Sequence, residues 1–258
     1  MAREMKDSGI EWIGEIPADW NIGRIKHSFF VIAGATPKSE IKEYWDGDIV
    51  WITPADYKTD DVYISTGRRN LTAEGYNSCG TTIVPKNSII FSKRAPIGSV
   101  AINSVPLCTN QGCLSCVPKG EVSTKLFYYA MRIYTEEFNL LGSGTTFKEI
   151  SADSFQNFTL PLPPLPDQHR IAAFLDRKCA EIDSVIADTQ KTIEEYKALK
   201  QSIITEAVTK GVRGERKMKD SGVEWLPEIP EDWDAKRGKQ LFVETNERSV
   251  DGHEELLR

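Results

Sequence analysis

Residues 159–176 read TLPLPPLPDQHRIAAFLD, and this stretch decides where one kind of structure stops and another begins. Prolines at 161, 163, 164 and 166 remove backbone donors and fix φ, so the first half reads as a stiff, extended strap. Asp167 then stands where a helix N-cap belongs. From Gln168 to Lys210 there is neither proline nor glycine. Ile171, Leu175, Ile182, Val185, Tyr196, Leu199 and Ile203 recur at heptad a/d spacing, and Ile186 and Ile193 widen the stripe. Lys178, Thr189 and Thr192 interrupt the seam, and Gly211 supplies a stop. The spacing therefore predicts one helix of roughly 60 Å. A helix with a single apolar stripe must bury it against another helix. The sequence offers no second helix of matching length, so the partner is expected to come from outside the chain.

Upstream of the strap, residues 1–160 read as a mixed α/β domain. Runs rich in Val and Ile, bounded by Gly, Pro, Asn and Asp, predict strands at Ile49–Thr53, Thr82–Val84, Ser88–Phe91, Ser99–Ile102 and Leu114–Val117. Between Ser123 and Leu141, Leu126, Tyr129, Ala130 and Ile133 fall at helical spacing. The expected class is α+β: a mixed α/β domain over 1–160, then the strap and a long coiled-coil-forming helix over 161–211. Residues 212–258 begin with a polar linker and then repeat an earlier phrase. MKDSGIEWIGEIPADW (5–20) returns as MKDSGVEWLPEIPEDW (218–233), identical at twelve of sixteen positions and offset by 213. Arg24, Lys26 and Phe29 align with Arg237, Lys239 and Phe242. An offset that long signals a repeated domain rather than a solenoid. The last segment reads as the cut-off opening of a second domain, expected to be largely disordered or loosely attached, with local docking of the repeated phrase through Trp225 and Trp233 as the alternative.

At 40% hydrophobic residues the chain can bury a core, which excludes global disorder. The apolar runs are far too short to span a membrane, and the N-terminus is polar, so a cytoplasmic protein is expected. Five cysteines without an export signal read as reduced thiols. The formal charge of −6 speaks against a nucleic-acid partner on average. The distribution does not: from Asn21 to Lys119, eleven Lys/Arg stand against eight Asp/Glu, a local +3.

Catalytic patterns fail one by one. Gly142–Thr146 is glycine-rich but lacks the lysine and preceding strand of a phosphate loop. The three histidines have no nucleophile–acid neighbours in sequence, and no H-E-x-x-H or G-x-S-x-G occurs. Cys108, Cys113 and Cys116 lack a second close pair and read as buried small hydrophobes rather than zinc ligands. No metal or cofactor is expected. What remains is chemistry suited to DNA. An apolar strand delivers Ser92, Lys93 and Arg94 into a loop, where the cations suit phosphate or guanine. Asn110 and Gln111 offer amides that match adenine edges. Thr145, Thr146 and Lys148 follow a glycine turn, and Lys58, Arg68 and Arg69 add positive charge. Each alone also reads as an ordinary solvated loop.

In combination the motifs resemble those of a family. GSGTTFKEISADSFQNFTLPLPPLPDQHRIAAFLD (142–176) resembles the junction between a target recognition domain and its long helix in specificity subunits of type I restriction–modification systems. IIFSKRAPIGSVAI (89–102), TNQGC (109–113) and EWIGEIPADW (11–20) resemble further motifs of the family, in the same order. The resemblance implies a non-catalytic subunit that reads double-stranded DNA. It also implies docking to methyltransferase (modification) and restriction/translocase subunits. A complete member carries two recognition domains, each reading half of a split target, with two antiparallel helices as spacer. One domain and one helix here imply a homodimer through Ile171, Leu175, Ile182, Val185, Ile186, Tyr196, Leu199 and Ile203. The competing expectation is a stand-alone DNA-binding or interaction protein with a coiled-coil stalk. A DNA-modifying enzyme is disfavoured, because no N/D-P-P-[YF] motif appears.

Overall fold

A computed structural model describes residues 3–58, 61–144, 148–212 and 214–243. The chain divides into two compact units, Met1–Ala180 and Glu181–Arg258.

The first unit runs in order through β1 (Met5–Asp7), β2 (Glu15–Pro17), β3 (Asn21–Arg24), α1 (Ile25–Ser28), β4 (Phe29–Ala33), β5 (Trp45–Ile52), β6 (Tyr63–Ile64), β7 (Arg69–Leu71) and α2 (Ala73–Asn77). It continues through β8 (Ile89–Ser92), β9 (Val100–Asn103), β10 (Cys108–Thr109), β11 (Cys113–Pro118), α3 (Thr124–Ile133), α4 (Thr135–Leu141), α5 (Ala152–Gln156) and β12 (Thr159–Leu162). Helix α6 (Leu165–Lys210) begins in this unit and runs on into the second.

A five-stranded mixed sheet in the order β4-β11-β8-β9-β6 carries the domain. Its strands alternate between two cores, as period-two side chains must. Ile89, Phe91, Val100, Ile102, Leu114 and Cys116 join Phe127, Tyr128, Met131, Phe138 and Phe155 from the helices. Ile90, Ala101 and Cys113 face the other way, with Ile52, Val84 and Leu107. A second sheet, β10-β5-β7, lies on that side. It packs Trp45 edge-on to Trp51, ring centroids 5.1 Å apart.

Several expectations change here. Thr82–Val84 forms only a single antiparallel bridge, Val84 to Leu107. The helical stretch over 123–141 breaks at Tyr134 into α3 and α4. Its buried face is Phe127, Tyr128 and Met131, one residue round from the expected stripe, and Ile133 is 72% exposed. The proline strap is a strand: β12 pairs antiparallel with β3, Thr159 opposite Arg24 and Leu162 opposite Asn21. The two prolines at 163 and 164 end it, and α6 starts at once, with Pro166 in its first turn, where a missing N–H costs nothing. Asp167 is therefore inside the helix rather than capping it. Its carboxylate holds Arg3 and Trp20 Nε1, at 2.6 and 3.2 Å. Gln168 fastens the helix start to the domain, accepting from Ser123 N and donating to the Pro163 carbonyl, both at 3.0 Å.

In the second unit α6 ends at Gly211, whose φ of +81° and N–H bond to the Ala207 carbonyl make the expected stop. After it, β13 (Met218–Val223) and β14 (Leu226–Pro230) form a hairpin, and α7 (Gly238–Leu241) follows. Residues 218–230, expected to be disordered or loosely attached, form this hairpin, with Ile229 only 4% exposed, and of the two tryptophans expected to dock locally Trp233 lies against Gly211. Residues 244–258 lie outside the described residues.

Candidate nucleic-acid interface

Strand β8 is buried along its whole length and ends at Ser92, so whatever follows is presented on a rigid base. The turn after it closes on itself: Ser92 N donates to the Ser99 carbonyl at 2.7 Å, and Gly98 N to the Ser92 carbonyl at 3.1 Å. Gly98 has φ +96°, a conformation only glycine adopts without strain. Ser92 was expected to face DNA. It is wholly buried, and its hydroxyl donates to the Arg94 carbonyl at 2.8 Å, so its role is to shape the turn.

Two further loops are stitched to this turn. Lys93 N donates to the Gly112 carbonyl at 2.9 Å, and Ile150 N to the Lys93 carbonyl at 3.0 Å. Loop 92–98, loop 109–112 and the segments 142–144 and 148–150 therefore form one surface. Gly34 packs so closely on the Thr109 and Asn110 carbonyls that a Cβ there would overlap them, which draws the loop around Thr36 to the same place. Lys148 lies against Gly142, where an added Cβ would stand 3.0 Å from its Cγ and from Ile97 Cδ1. Gln111 is exposed and bonded to the Thr36 hydroxyl. Asn110 spends its carbonyl oxygen on Gly112 N, at 2.9 Å.

Glu149 stands between the two cations. Its Oε1 is 2.6 Å from Lys93 Nζ, and its Oε2 is 2.6 Å from Arg94 Nε. Burial pushes its pKa up, but the bonds from Lys93 and Arg94 outweigh this and hold the carboxyl below its ordinary value. Lys93 is mostly covered, with 13% of its side chain exposed, while Arg94 keeps 41%. Arg94 is thus the more accessible of the two.

Beside this surface, Tyr57, Lys58, Ile97, Ser99, Arg132 and Thr135 contribute to a cleft of about 440 Å³. It gathers Lys58 with Arg132, which sequence reading missed. Arg132 donates to Tyr128 OH at 2.8 Å, a contact across one helical turn that spacing alone contains but does not flag. Arg68 belongs to the neighbouring loop: its N–H bonds Asp56 at 2.9 Å. Arg69 lies apart, stacked 3.6 Å over the Trp45 ring. Thr145 and Thr146 lie outside the described residues. Among the described residues no cluster of metal-ligating side chains occurs, and no helix is long and apolar enough to cross a membrane.

Along α6, Ile171 and Leu175 are half-buried on the first unit, where Asp176 accepts from Tyr129 OH at 2.9 Å and pairs with Lys125. In the second unit the stripe is bare: Ile182, Val185, Ile186, Tyr196, Leu199 and Ile203 are 53–67% exposed.

In fold the chain is similar to a structure of the type I R-M system, with TM-score 0.63 and 24% identity, covering 74% of this chain and 46% of that one. It is also similar to the HsdS subunit from Thermoanaerobacter tengcongensis, with TM-score 0.59 and 22% identity, covering 79% and 47%. Residues 17–205 match the type I restriction modification DNA specificity domain, and the chain belongs to that family. Among its relatives are the type I restriction enzyme MjaIX specificity subunit of Methanocaldococcus jannaschii, 39% identical over 185 residues, and the EcoBI specificity subunit of Escherichia coli, 32% identical over 137. The matches cover 70% and 50% of this chain, and 42% and 28% of those proteins. The chain spans about half the length, or less, of the relatives it matches.

Proposed function

We propose that this chain is a non-catalytic DNA-recognition subunit of a type I restriction–modification complex. It directs modification and restriction subunits to their target. The observation that carries the reading is the convergence of Lys93, Arg94, Gln111 and Lys148 on one loop surface. Hydrogen bonds join the loops of Lys93 and Gln111, and close packing seats Lys148 beside Ile97. Cations at that surface serve phosphates, while Arg94 and Gln111 have the donor geometry for base edges. The relatives' description as specificity subunits supports the same role.

We further read the bare stripe of α6 as a pairing face. Two copies packing antiparallel through Ile182, Val185, Ile186, Tyr196, Leu199 and Ile203 would bury it and set two recognition domains on one target of two halves. The test is fluorescence anisotropy of the complex assembled with its methyltransferase, on target and scrambled duplexes over a salt series. Binding that is indifferent to the triple change Lys93→Ala, Arg94→Ala and Lys148→Ala would place the DNA face elsewhere.

A further inference from the structure

The duplicated phrase folds twice into the same object. Met5↔Pro17, Lys6↔Ile16 and Asp7↔Glu15 pair in the first hairpin; Met218↔Pro230, Lys219↔Ile229 and Asp220↔Glu228 pair in the second. In each, the Asp carboxylate accepts from a glycine N–H two residues on, at 2.9 and 2.8 Å. Those glycines, Gly9 and Gly222, have φ +70° and +71°. Both hairpins bury their isoleucine, Ile16 and Ile229. Both end with a tryptophan N–H bonded to a proline carbonyl at 2.9 Å.

They differ in what they touch. Trp12 stacks on Phe158 at 5.0 Å between centroids and meets Tyr134 edge-on at 4.8 Å. Arg3 and Trp20 grip Asp167. Tyr134, Phe158 and Asp167 thus form a cradle for the first hairpin. In the second hairpin Trp225, the counterpart of Trp12, is 83% exposed, against 38% for Trp12. Arg216 and Trp233, the counterparts of Arg3 and Trp20, flank Gly211 at the end of α6, each 3.3 Å from where a Cβ would stand. The second hairpin holds a helix end by one face and leaves the other face bare.

We propose that residues 216–233 exchange with residues 3–20 for the cradle of a second copy of this chain. The proposal deepens the dimer reading and rests on it. In an antiparallel pair, the C-terminal end of one α6 lies beside the N-terminal end of the other, where Asp167 sits. The second hairpin leaves α6 at that point, with five residues between Lys210 and Arg216. Trp225 then takes the place of Trp12 on Phe158, and Arg216 and Trp233 reach Asp167. The correspondence stops at Trp233. Gly23 backs directly onto Leu162, and Lys236 holds the equivalent position, so the pairing of β3 with β12 is not copied.

Sedimentation velocity on the full chain tests this. With Arg3→Ala and Trp12→Ala the native hairpin loosens, the partner's second hairpin takes over, and the dimer Kd falls about tenfold. Adding Trp225→Ala abolishes that gain. Arg3→Ala alone, crossed with Arg216→Ala, repeats the cycle at a few-fold scale in case the double variant folds poorly. A Kd indifferent to Trp225 and Arg216 in both backgrounds overturns the exchange and leaves helix pairing standing. A chain that stays monomeric throughout removes helix pairing, and the exchange with it.

Discussion

Arg3 and Asp167 are 164 positions apart in sequence, and their side chains meet at 2.6 Å. The same carboxylate accepts from Trp20 Nε1 and pairs with Arg170. The Arg3 bond first, then those of Arg170 and Trp20, hold Asp167 well below its ordinary 3.8, at about 2. Asp19, also bonded to Arg3, is held low as well. A carboxylate whose folded pKa is depressed adds stability above its unfolded pKa and loses it as pH falls through the folded one. Urea midpoints of the native chain and Arg3→Ala should therefore differ most above pH 4. The difference should shrink steadily toward pH 2. A gap that is constant across this window would mean that Arg3 contributes by packing and not by charge.

Glu149 neutralises part of the charge on the proposed DNA face. Glu149→Gln leaves both Lys93 and Arg94 uncompensated. Binding to scrambled duplexes should tighten a few-fold and the salt slope rise by about one. The ratio of target to scrambled affinity should fall, because non-specific phosphate contact gains most. Arg94→Ala should instead cost about 1–3 kcal/mol and relax one position of the target if that side chain reads a base. Lys93→Ala should have the smaller direct effect, since Glu149 and the surrounding loop already cover that side chain.

The helix stripe gives a sharper test of assembly. Replacing Ile182, Val185 and Ile186 by Glu places three charges in the seam, and each would have to lose its water on pairing. Light scattering should show the native chain as a dimer at micromolar concentration and the triple variant as a monomer. Far-ultraviolet circular dichroism of the recognition domain should stay unchanged.

The thiols divide by burial. Burial pushes Cys113 up to about 12 and Cys108 to about 11, and raises Cys116 as well, while Cys179 on α6 is exposed. A thiol reacts as its thiolate, so the three strand cysteines should resist a disulfide reagent at pH 8 until the domain unfolds. Cys179 should react at once. Fast labelling of Cys113 would show that the start of β11 opens freely in solution.

Much of this architecture is legible in the residues, because strands β8, β9 and β11 alternate cleanly and each side of the alternation has a core to enter. The helix of α3 was legible and Tyr129 and Ala130 pack on its core, but its most buried residues, Phe127, Tyr128 and Met131, were not singled out. Leu126 and Ile133 look as apolar as Phe127 and Met131, and only the position of the sheet decides which pair is buried. Chemistry singled out the loops with Lys93, Arg94, Gln111 and Lys148, and the fold brings those loops to one surface. Glu149 was not singled out, since nothing local marks a carboxylate 55 positions from the arginine it clamps. The second hairpin was expected to be loose because its apolar residues had no visible partner. The end of α6 supplies one for Trp233, Ile229 is buried, and Trp225 stays bare.

The pairing of β3 with β12 has a further consequence. Arg24 and Thr159 stand opposite each other, so everything between residues 25 and 158 enters and leaves through one doorway two strands wide. The domain between them is in effect a cassette hung on a frame of hairpin, short ladder and helix. Another domain whose ends sit one strand spacing apart would fit the same doorway, provided that it also supplied the contacts that Ser123, Tyr129, Tyr134 and Phe158 make with the helix and the hairpin.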